Sequence, residues 1–340
     1  MTATVAINGF GRIGRNVFRT LIDRKADLKV VGINDLTDPK TLAYLLKHDT
    51  SFGKFNHEVS YEDDEGGKFL IVDGQKIPIF AEKDPANIKF GADMVLECTG
   101  IFRKGEQLQK HIDAGAKKVI LSVPGDNIDG TIVMGVNEHE YDPAKMNIVS
   151  NASCTTNCLA PFAKVLDDNF GIIEGFMTTI HAYTNDQNLV DSPHSDLRRG
   201  RAAAENIVPT KTGAAKAIGE VLPSLNGKLD GFAVRVPVVT GSITELTCRL
   251  KKNVTKDQVN AAMKAAAEGP MKGVLEYTEE PLVSSDIVGD PHSSIFDAGL
   301  TKIIDVDGEQ LVTVCSWYDN EWGYYNRMVD VALLLASKGL

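Results

Sequence analysis

Cysteine is scarce in this chain. There are five in 340 residues, an odd number, and that does not resemble a disulfide framework. Long apolar runs are missing as well, and no stretch reaches the length of a membrane span. The opening residues, Met1-Thr2-Ala3-Thr4-Val5, contain no basic segment leading into an apolar one, so no secretory leader is expected. Positive charge is in deficit: 36 Lys and Arg against 46 Asp and Glu leave a net charge of −10, which argues against a general nucleic-acid surface. A phosphate group can still be bound, provided that cations are concentrated locally. The seven histidines are scattered and show no Cys/His metal spacing, so no metal centre is expected. There is no internal repeat and no low-complexity linker. What remains fits a cytoplasmic globular protein, with 43% hydrophobic and 24% charged residues. Its length exceeds one usual core, so two domains are the expectation.

The first positive signal is near the start. Thr4-Val5-Ala6-Ile7-Asn8 reads as a short buried strand. It runs into Gly9-Phe10-Gly11-Arg12-Ile13-Gly14 and a helix over 15–24, then a second strand over 28–34 that ends in Asp35. A G-x-G-x-x-G pattern alone is weak. In this setting, with an acidic residue about twenty positions beyond the last glycine, it is the dinucleotide fingerprint. Gly9 permits the tight turn, Gly11 lets backbone approach a pyrophosphate, and Gly14 allows close helix–strand packing, with the pyrophosphate on the helix N-terminus. Asp35 accepts from the adenosine ribose hydroxyls and repels a 2′-phosphate, so NAD is favoured over NADP. Three turn glycines and a surface aspartate are the alternative. Strand patterns follow at 68–72 and 76–80 (a hairpin), 93–98, 117–122 and 147–150, with a helix over 106–114. Strand C-termini in such sheets face the ligand crevice, which makes Thr99, Gly100 and Ser122 cofactor neighbours and Cys98 a packing residue.

The chain is organised around Ser150-Asn151-Ala152-Ser153-Cys154-Thr155-Thr156-Asn157-Cys158. Asn151, Ser153 and Thr155 are good N-cap residues, and the residues after Cys158 turn apolar with helical spacing, so Cys154 is expected at a helix start. Free backbone N–H groups and the helix dipole there lower a thiol pKa, and the thiolate is the nucleophile. The alternative is a small buried apolar cysteine. Cys158, one turn on, reads as structural, although its spacing permits an oxidative link to Cys154. Beyond this point the pattern is that of a mixed sheet with helices on one side. Strands are expected at 175–183, 232–238, 242–250 and 310–318, and helices at 259–268 and 322–337. One histidine, His181, lies in the first of these strands. The long segment 184–209 contains Arg198, Arg199 and Arg201, and arginine suits phosphate because its planar fork binds two oxygens. Thr210-Lys211-Thr212-Gly213 adds hydroxyls before a helix start, and Arg235 sits inside an apolar strand. Each has an ordinary reading, as a solvated loop or a paired strand charge; their co-occurrence points to phosphate.

Together, the fingerprint, the Ser-Cys-Thr-Thr-Asn-Cys helix start, the strand histidine and the cations resemble the phosphorylating glyceraldehyde-3-phosphate dehydrogenase family. The likeness runs from Asn8-Gly9-Phe10-Gly11-Arg12-Ile13-Gly14-Arg15 to Trp317-Tyr318-Asp319-Asn320-Glu321-Trp322-Gly323-Tyr324. The resemblance implies an α/β Rossmann domain (a doubly wound, mostly parallel sheet) over 1–150. An α+β catalytic domain with a mixed sheet over 151–317 is to follow, then a C-terminal segment, 318–340, returning to the NAD-binding domain. It implies a homotetramer, with 184–209 at a subunit interface. The implied reaction is NAD+-dependent oxidation of glyceraldehyde 3-phosphate with inorganic phosphate, through a hemithioacetal and a thioester on Cys154 activated by His181. Erythrose-4-phosphate dehydrogenase is the alternative. By the same resemblance Arg12 and Ile13 meet the pyrophosphate, Asp35 the ribose, and Ser122 and Asn320 the nicotinamide side. Thr184, Arg199 and Arg235 hold substrate phosphate; Ser153, Thr155, Thr212 and Gly213 hold inorganic phosphate. Lys83 stands where many relatives have Arg, so an adenine-side contact differs. Leu36 after Asp35, and Pro193, resemble the NAD-preferring glycolytic forms.

Overall fold

The structure is a computed structural model that describes residues 2–340. The chain divides into two compact units. One runs to Ile132 and adds Glu138–Ala152 and Tyr325–Leu340; the other comprises Val133–Asn137 and Ser153–Tyr324.

The first unit opens with β1 (Ala3–Asn8), α1 (Arg12–Asp23), β2 (Leu28–Asn34) and α2 (Pro39–Lys47). It continues through β3 (Val59–Asp64), β4 (Gly67–Val72), β5 (Gln75–Phe80), β6 (Met94–Glu97), α3 (Gly105–Asp113), β7 (Lys118–Leu121) and β8 (Ile148–Ser150). Strands β8, β7, β6, β1, β2 and β5 lie side by side and parallel. Strands β4 and β3 then extend the edge antiparallel. This is the doubly wound, mostly parallel Rossmann sheet. The central strands Val5-Ala6-Ile7, Met94-Val95-Leu96 and Val119-Ile120-Leu121 are buried on both faces, as a parallel sheet covered by helices requires. Helix α2 was not expected from pattern, although its start is legible: Asp38 accepts the Thr41 N–H at 2.9 Å and Pro39 is the first helical residue.

The second unit contains α4 (Cys154–Phe170), β9 (Ile172–Ala182), β10 (Val208–Lys211), α5 (Ala214–Val221), β11 (Leu229–Val236), β12 (Ser242–Leu250) and α6 (Lys256–Glu268). After these come β13 (Leu275–Thr278), β14 (Ser294–Asp297), β15 (Lys302–Val306) and β16 (Glu309–Tyr318). The sheet runs β10-β11-β9-β12-β16-β14-β13, with β15 paired to β16. It is mixed: β9 is parallel to β11 but antiparallel to β12. Alternation sets its inner face, with Met177, Thr179, Thr244, Leu246 and Cys248 buried while Phe176 is half exposed. The pattern reading passed over β10, β13, β14 and β15. Helix α7 (Trp322–Lys338) begins in this unit, and its remainder belongs to the first, where Arg24 donates to the Asn326 carbonyl at 3.2 Å and pairs with Asp330 at 2.6 Å.

One carboxylate ties the start of the first sheet to its neighbours. Asp93 is bound by Lys117 at 2.9 Å and accepts the Thr4 N–H at 3.0 Å and the Thr4 hydroxyl at 2.8 Å. These bonds hold its carboxyl down at about 2. A depressed carboxyl contributes stability that is complete above its unfolded value of 3.8 and is lost as pH falls to about 2. Asp93→Asn should therefore cost about 1–2 kcal/mol at pH 7, after allowance for solvent screening of a quarter-exposed group. It should also flatten the acid limb of stability between pH 4 and 2. Denaturant titrations at both pH values check this, and an unchanged acid limb would refute it.

Candidate active site

In the first unit the loop after β1 is shaped for a ligand with no side chain in the way. Gly9 holds φ +89°, and a Cβ there would meet the Thr99 nitrogen at 2.7 Å; a Cβ on Gly14 would meet the Gly9 oxygen at 2.0 Å. A Cβ on Gly11 would meet nothing within 4 Å. The two outer glycines are therefore fixed by close backbone approach, and the middle one borders open space at the N-terminus of α1, where an anion is favoured. Asp35 accepts the Phe10 N–H at 2.8 Å and the Thr37 N–H at 2.9 Å, which places its carboxylate beside the glycine turn. Arg12 does not lie free: its guanidinium is bound to Asp49 at 2.8 Å and to Ser51 at 3.2 Å. Ile13 is half-buried on α1 and Lys83 is exposed in the loop after β5. Gly100 takes φ +70° and its carbonyl accepts Arg103 Nε at 2.9 Å. Ser122 is buried at the end of β7, and Cys98 is a buried thiol pushed up by burial.

Sequence reasoning missed what holds this cradle. Glu97, fully buried at the end of β6, accepts Asn8 Nδ2 at 2.6 Å, His111 Nε2 at 3.0 Å and the Thr99 N–H at 2.9 Å. Asn34 donates to the Asn8 side chain at 2.7 Å and to the Glu82 carbonyl at 2.9 Å, and accepts the Glu82 N–H at 2.8 Å. A glutamate ending an apolar strand was the available signal.

In the second unit Cys154 is the first residue of α4, and of the three N-cap candidates Ser153 holds the position: its Oγ accepts the Thr156 N–H at 3.0 Å. Two residues before Cys154, Ala152 sits at φ +54°, a left-handed conformation unusual for a residue with a Cβ. Cys154 Sγ lies 3.4 Å from His181 Nε2. The other ring nitrogen, Nδ1, lies 2.6 Å from the Ala182 carbonyl and 2.7 Å from Arg235 Nη1, and the ring so held turns Nε2 toward the sulfur. Arg235 stands opposite His181 on β11 and donates to the same carbonyl at 3.0 Å. The expected lowering of the thiol pKa is not what this surrounding produces. Burial pushes the Cys154 thiol up, against the pull of Arg235. Burial and Arg235 together push His181 down to about 3.

The phosphate candidates differ in availability. Arg235 Nε is buried and has no acceptor among the described residues. Arg199, in contrast, is latched: Nε donates to the Thr210 hydroxyl at 2.8 Å, Nη2 to the Lys211 carbonyl at 3.0 Å, and Nη1 pairs with Asp186. Thr155 is buried, and its hydroxyl shares a bond of 2.9 Å with Tyr318, which bonds Thr179 at 2.8 Å; this chain braces the base of the site. Ser153 spends its hydroxyl on the helix cap. Thr212 accepts the Ala214 N–H at 3.2 Å, and Gly213, the N-cap of α5, has nothing within 4 Å of its Cβ position. Both line a groove with Arg198, Lys211 and Lys216. Thr184 forms a turn with Gln187, and the Asn320 side chain accepts the Gly241 N–H at 3.1 Å. Cys158 is fully buried beside Ser294 and Ser316, its thiol pushed up to about 12 by burial. Away from these residues, Glu276, Asp290 and His292 bring ligand-type atoms within 4.8 Å of one another, a grouping that Cys/His spacing could not reveal.

Comparison with known proteins follows the same division. The family model described as glyceraldehyde 3-phosphate dehydrogenase, NAD binding domain, matches residues 3–105, and the C-terminal domain of that family matches 153–320. The chain is 56% identical over 341 residues to glyceraldehyde-3-phosphate dehydrogenase 2 of Streptomyces avermitilis, covering 99% of this chain and all of the relative. It is 57% identical over 346 residues to glyceraldehyde-3-phosphate dehydrogenase of Mycolicibacterium smegmatis, covering 99% of both. A relative of the same name from Kitasatospora aureofaciens is 58% identical over 337 residues, 98% of this chain and 99% of its own.

Of the five thiols, Cys154 alone is not wholly enclosed; Cys98, Cys158, Cys248 and Cys315 are buried. Burial pushes Cys158, Cys248 and Cys315 up to about 12. Iodoacetamide at pH 8 should place one adduct on the folded chain, at Cys154, and none on Cys154→Ser. Mass spectrometry of peptides reads the sites; adducts on any buried thiol of native protein would contradict the assignment.

Proposed function

Because the chain belongs to the glyceraldehyde 3-phosphate dehydrogenase family, we propose that its NAD-dependent oxidation of glyceraldehyde 3-phosphate runs through Cys154 and His181. The observation that carries this reading is the 3.4 Å approach of Cys154 Sγ to His181 Nε2. As Sγ attacks the aldehyde carbon, its proton passes to His181 Nε2, so the thiolate is formed in the act of attack. The Cys154 backbone N–H, at a helix start, and the protonated His181 stabilise the alkoxide of the hemithioacetal. His181 gives its proton to that alkoxide, then takes it back from the hydroxyl as hydride leaves and the carbon becomes a thioester. NAD+, when bound, accepts that hydride. The thioester is then attacked by inorganic phosphate, releasing the acyl phosphate, 1,3-bisphosphoglycerate, and restoring the thiol.

The residues around the thiol fit these roles unequally. Arg235, with its unpaired Nε, supports the substrate phosphate together with Thr184. Arg199 joins them once its latch to Asp186 gives way. Thr212 and Gly213, at the open start of α5, support inorganic phosphate with Ser153. Thr155 acts here through Tyr318 more than through a free hydroxyl. For the cofactor, the open Gly11 turn and the Asp35 carboxylate fit a pyrophosphate and a ribose; Arg12, Ile13, Gly9, Gly14, Lys83, Thr99, Gly100 and Ser122 complete that side, and Asn320 contacts the nicotinamide amide. The names of the relatives favour the three-carbon aldehyde over erythrose 4-phosphate.

The assembly is read as a cytoplasmic homotetramer. Among the described residues no helix is long and apolar enough to cross a membrane. Leu189, Val190, Leu197 and Ile207, all strongly exposed on the 184–209 segment, form a surface suited to cover by another copy. Light scattering should return four chain masses; a monomer would refute it.

NAD+ reduction with glyceraldehyde 3-phosphate should require inorganic phosphate and vanish in Cys154→Ser. His181→Asn should keep NAD+ binding but lower kcat/KM by roughly 10²–10⁴, the usual value of a general base. Turnover indifferent to phosphate would point to hydrolytic release and overturn the phosphorolysis step. Full activity in His181→Asn would remove the histidine from the mechanism.

A further inference from the structure

We propose that Ser242 is a positioning residue that sets the orientation of the Asn320 amide and registers it with His181. The inference rests on the reading of Asn320 as the nicotinamide contact. Ser242 is buried at the first position of β12, opposite Tyr318 of β16. Its hydroxyl donates to Asn320 Oδ1 at 2.8 Å, and its oxygen accepts the Ala182 N–H at 3.0 Å. The Gly241 N–H is a second donor to the same Oδ1, at 3.1 Å. Gly241 is held at φ +93°, where a Cβ would meet the Ser284 carbonyl at 2.4 Å, so that donor cannot swing away. Two donors converging on one atom identify it as the amide oxygen. Asn320 Nδ2 is left without an acceptor among the described residues, as a donor ready for a carbonyl-type ligand group.

The backbone beneath Asn320 is fixed as firmly. Asp319 accepts the Thr240 hydroxyl at 2.7 Å and the N–H groups of Gly289, Glu321 and Trp322 at 2.8, 2.9 and 3.0 Å. The Ala182 peptide is what joins the amide to the base: its N–H is held by Ser242, and its carbonyl holds His181 Nδ1. One serine hydroxyl therefore lies between the amide donor and the peptide that orients the imidazole. Removing it leaves the Gly241 N–H as the one donor on Oδ1 and weakens the preference for this orientation over the turned amide, whose outward oxygen would oppose a carboxamide oxygen.

The test compares NAD+ with ADP-ribose, which keeps the adenosine and pyrophosphate but has no nicotinamide. Calorimetry on the full-length enzyme should show NAD+ binding to Ser242→Ala about three- to tenfold more weakly, the range for one net hydrogen bond, with ADP-ribose affinity unchanged. Asn320→Ala should show the same selective loss, and Ser242→Ala/Asn320→Ala should be no worse than Asn320→Ala alone. Ser242→Cys, which keeps the bulk but donates weakly, gives a second variant with the same selectivity should Ser242→Ala fold poorly. An unaltered NAD+ to ADP-ribose ratio in the serine variants, beside an altered ratio in Asn320→Ala, overturns this proposal and leaves the Asn320 reading intact. An unaltered ratio in Asn320→Ala overturns both. Equal weakening of the two ligands in the serine variants also overturns it, because that marks a general structural loss.

Discussion

The reactive centre depends on how the His181 ring is held, with Nδ1 2.6 Å from the carbonyl of the next residue, Ala182. A neutral imidazole has one N–H and one bare nitrogen, and the partner of the first decides which face carries the second. The ring is held at Nδ1, and Nε2 faces the Cys154 sulfur at 3.4 Å. Arg235 donates to the same carbonyl, and its Nη1 lies only 2.7 Å from Nδ1. That permanent positive charge opposes a second proton on the ring. The histidine is thus held as a base.

The thiol is governed by a contest between burial and charge. A helix start and a neighbouring guanidinium both favour the anion, and from sequence the helix start was expected to prevail. Burial prevails instead, because removing a sulfur anion from water costs more than a partial dipole returns. The two partners nevertheless share a site in which a single proton shift gives a charged pair, and the charge of Arg235 favours the sulfur anion. In a buried site such a charge is stabilised by fixed donors without reorganising solvent.

Much of this was legible in the chain because it is local. The glycine turn, its aspartate, the strand–helix alternation and the capped cysteine helix each occupy a short window, and each reading rests on adjacent residues. Cys154, His181 and Arg235 could be named from composition and neighbours. Illegible were the contacts that sheet register creates. Glu97 meets Asn8 across 89 positions, Ser242 meets Asn320 across 78, and Thr155 meets Tyr318 across 163. No periodicity announces that a serine opening one strand faces an asparagine just past the end of another. The latching of Arg199 by Asp186 was equally hidden: a cluster of arginines declares its charge, whereas the side chains that occupy it depend on how the loop closes. Helix α2 is a different case. Asp38-Pro39 is a readable start, and the reading passed over it because the segment that follows is only moderately apolar.

The mixed direction of the second sheet explains how so few residues assemble the site. Strand β9 has a parallel neighbour on one edge and an antiparallel one on the other. At its end this places Arg235 beside His181 from the parallel side, and Ser242 within reach of Ala182 from the antiparallel side. The register is tightly constrained, because a slip of one residue turns every side chain to the opposite face. Were β11 shifted by one, Val234 or Val236 would stand opposite His181 and the guanidinium would leave the imidazole. Burial of alternate residues such as Met177, Thr179 and Leu246 on the inner face makes that slip costly. The apolar core of the sheet, far from the chemistry in its residue types, is therefore what holds a cation, a base and an amide donor in one arrangement.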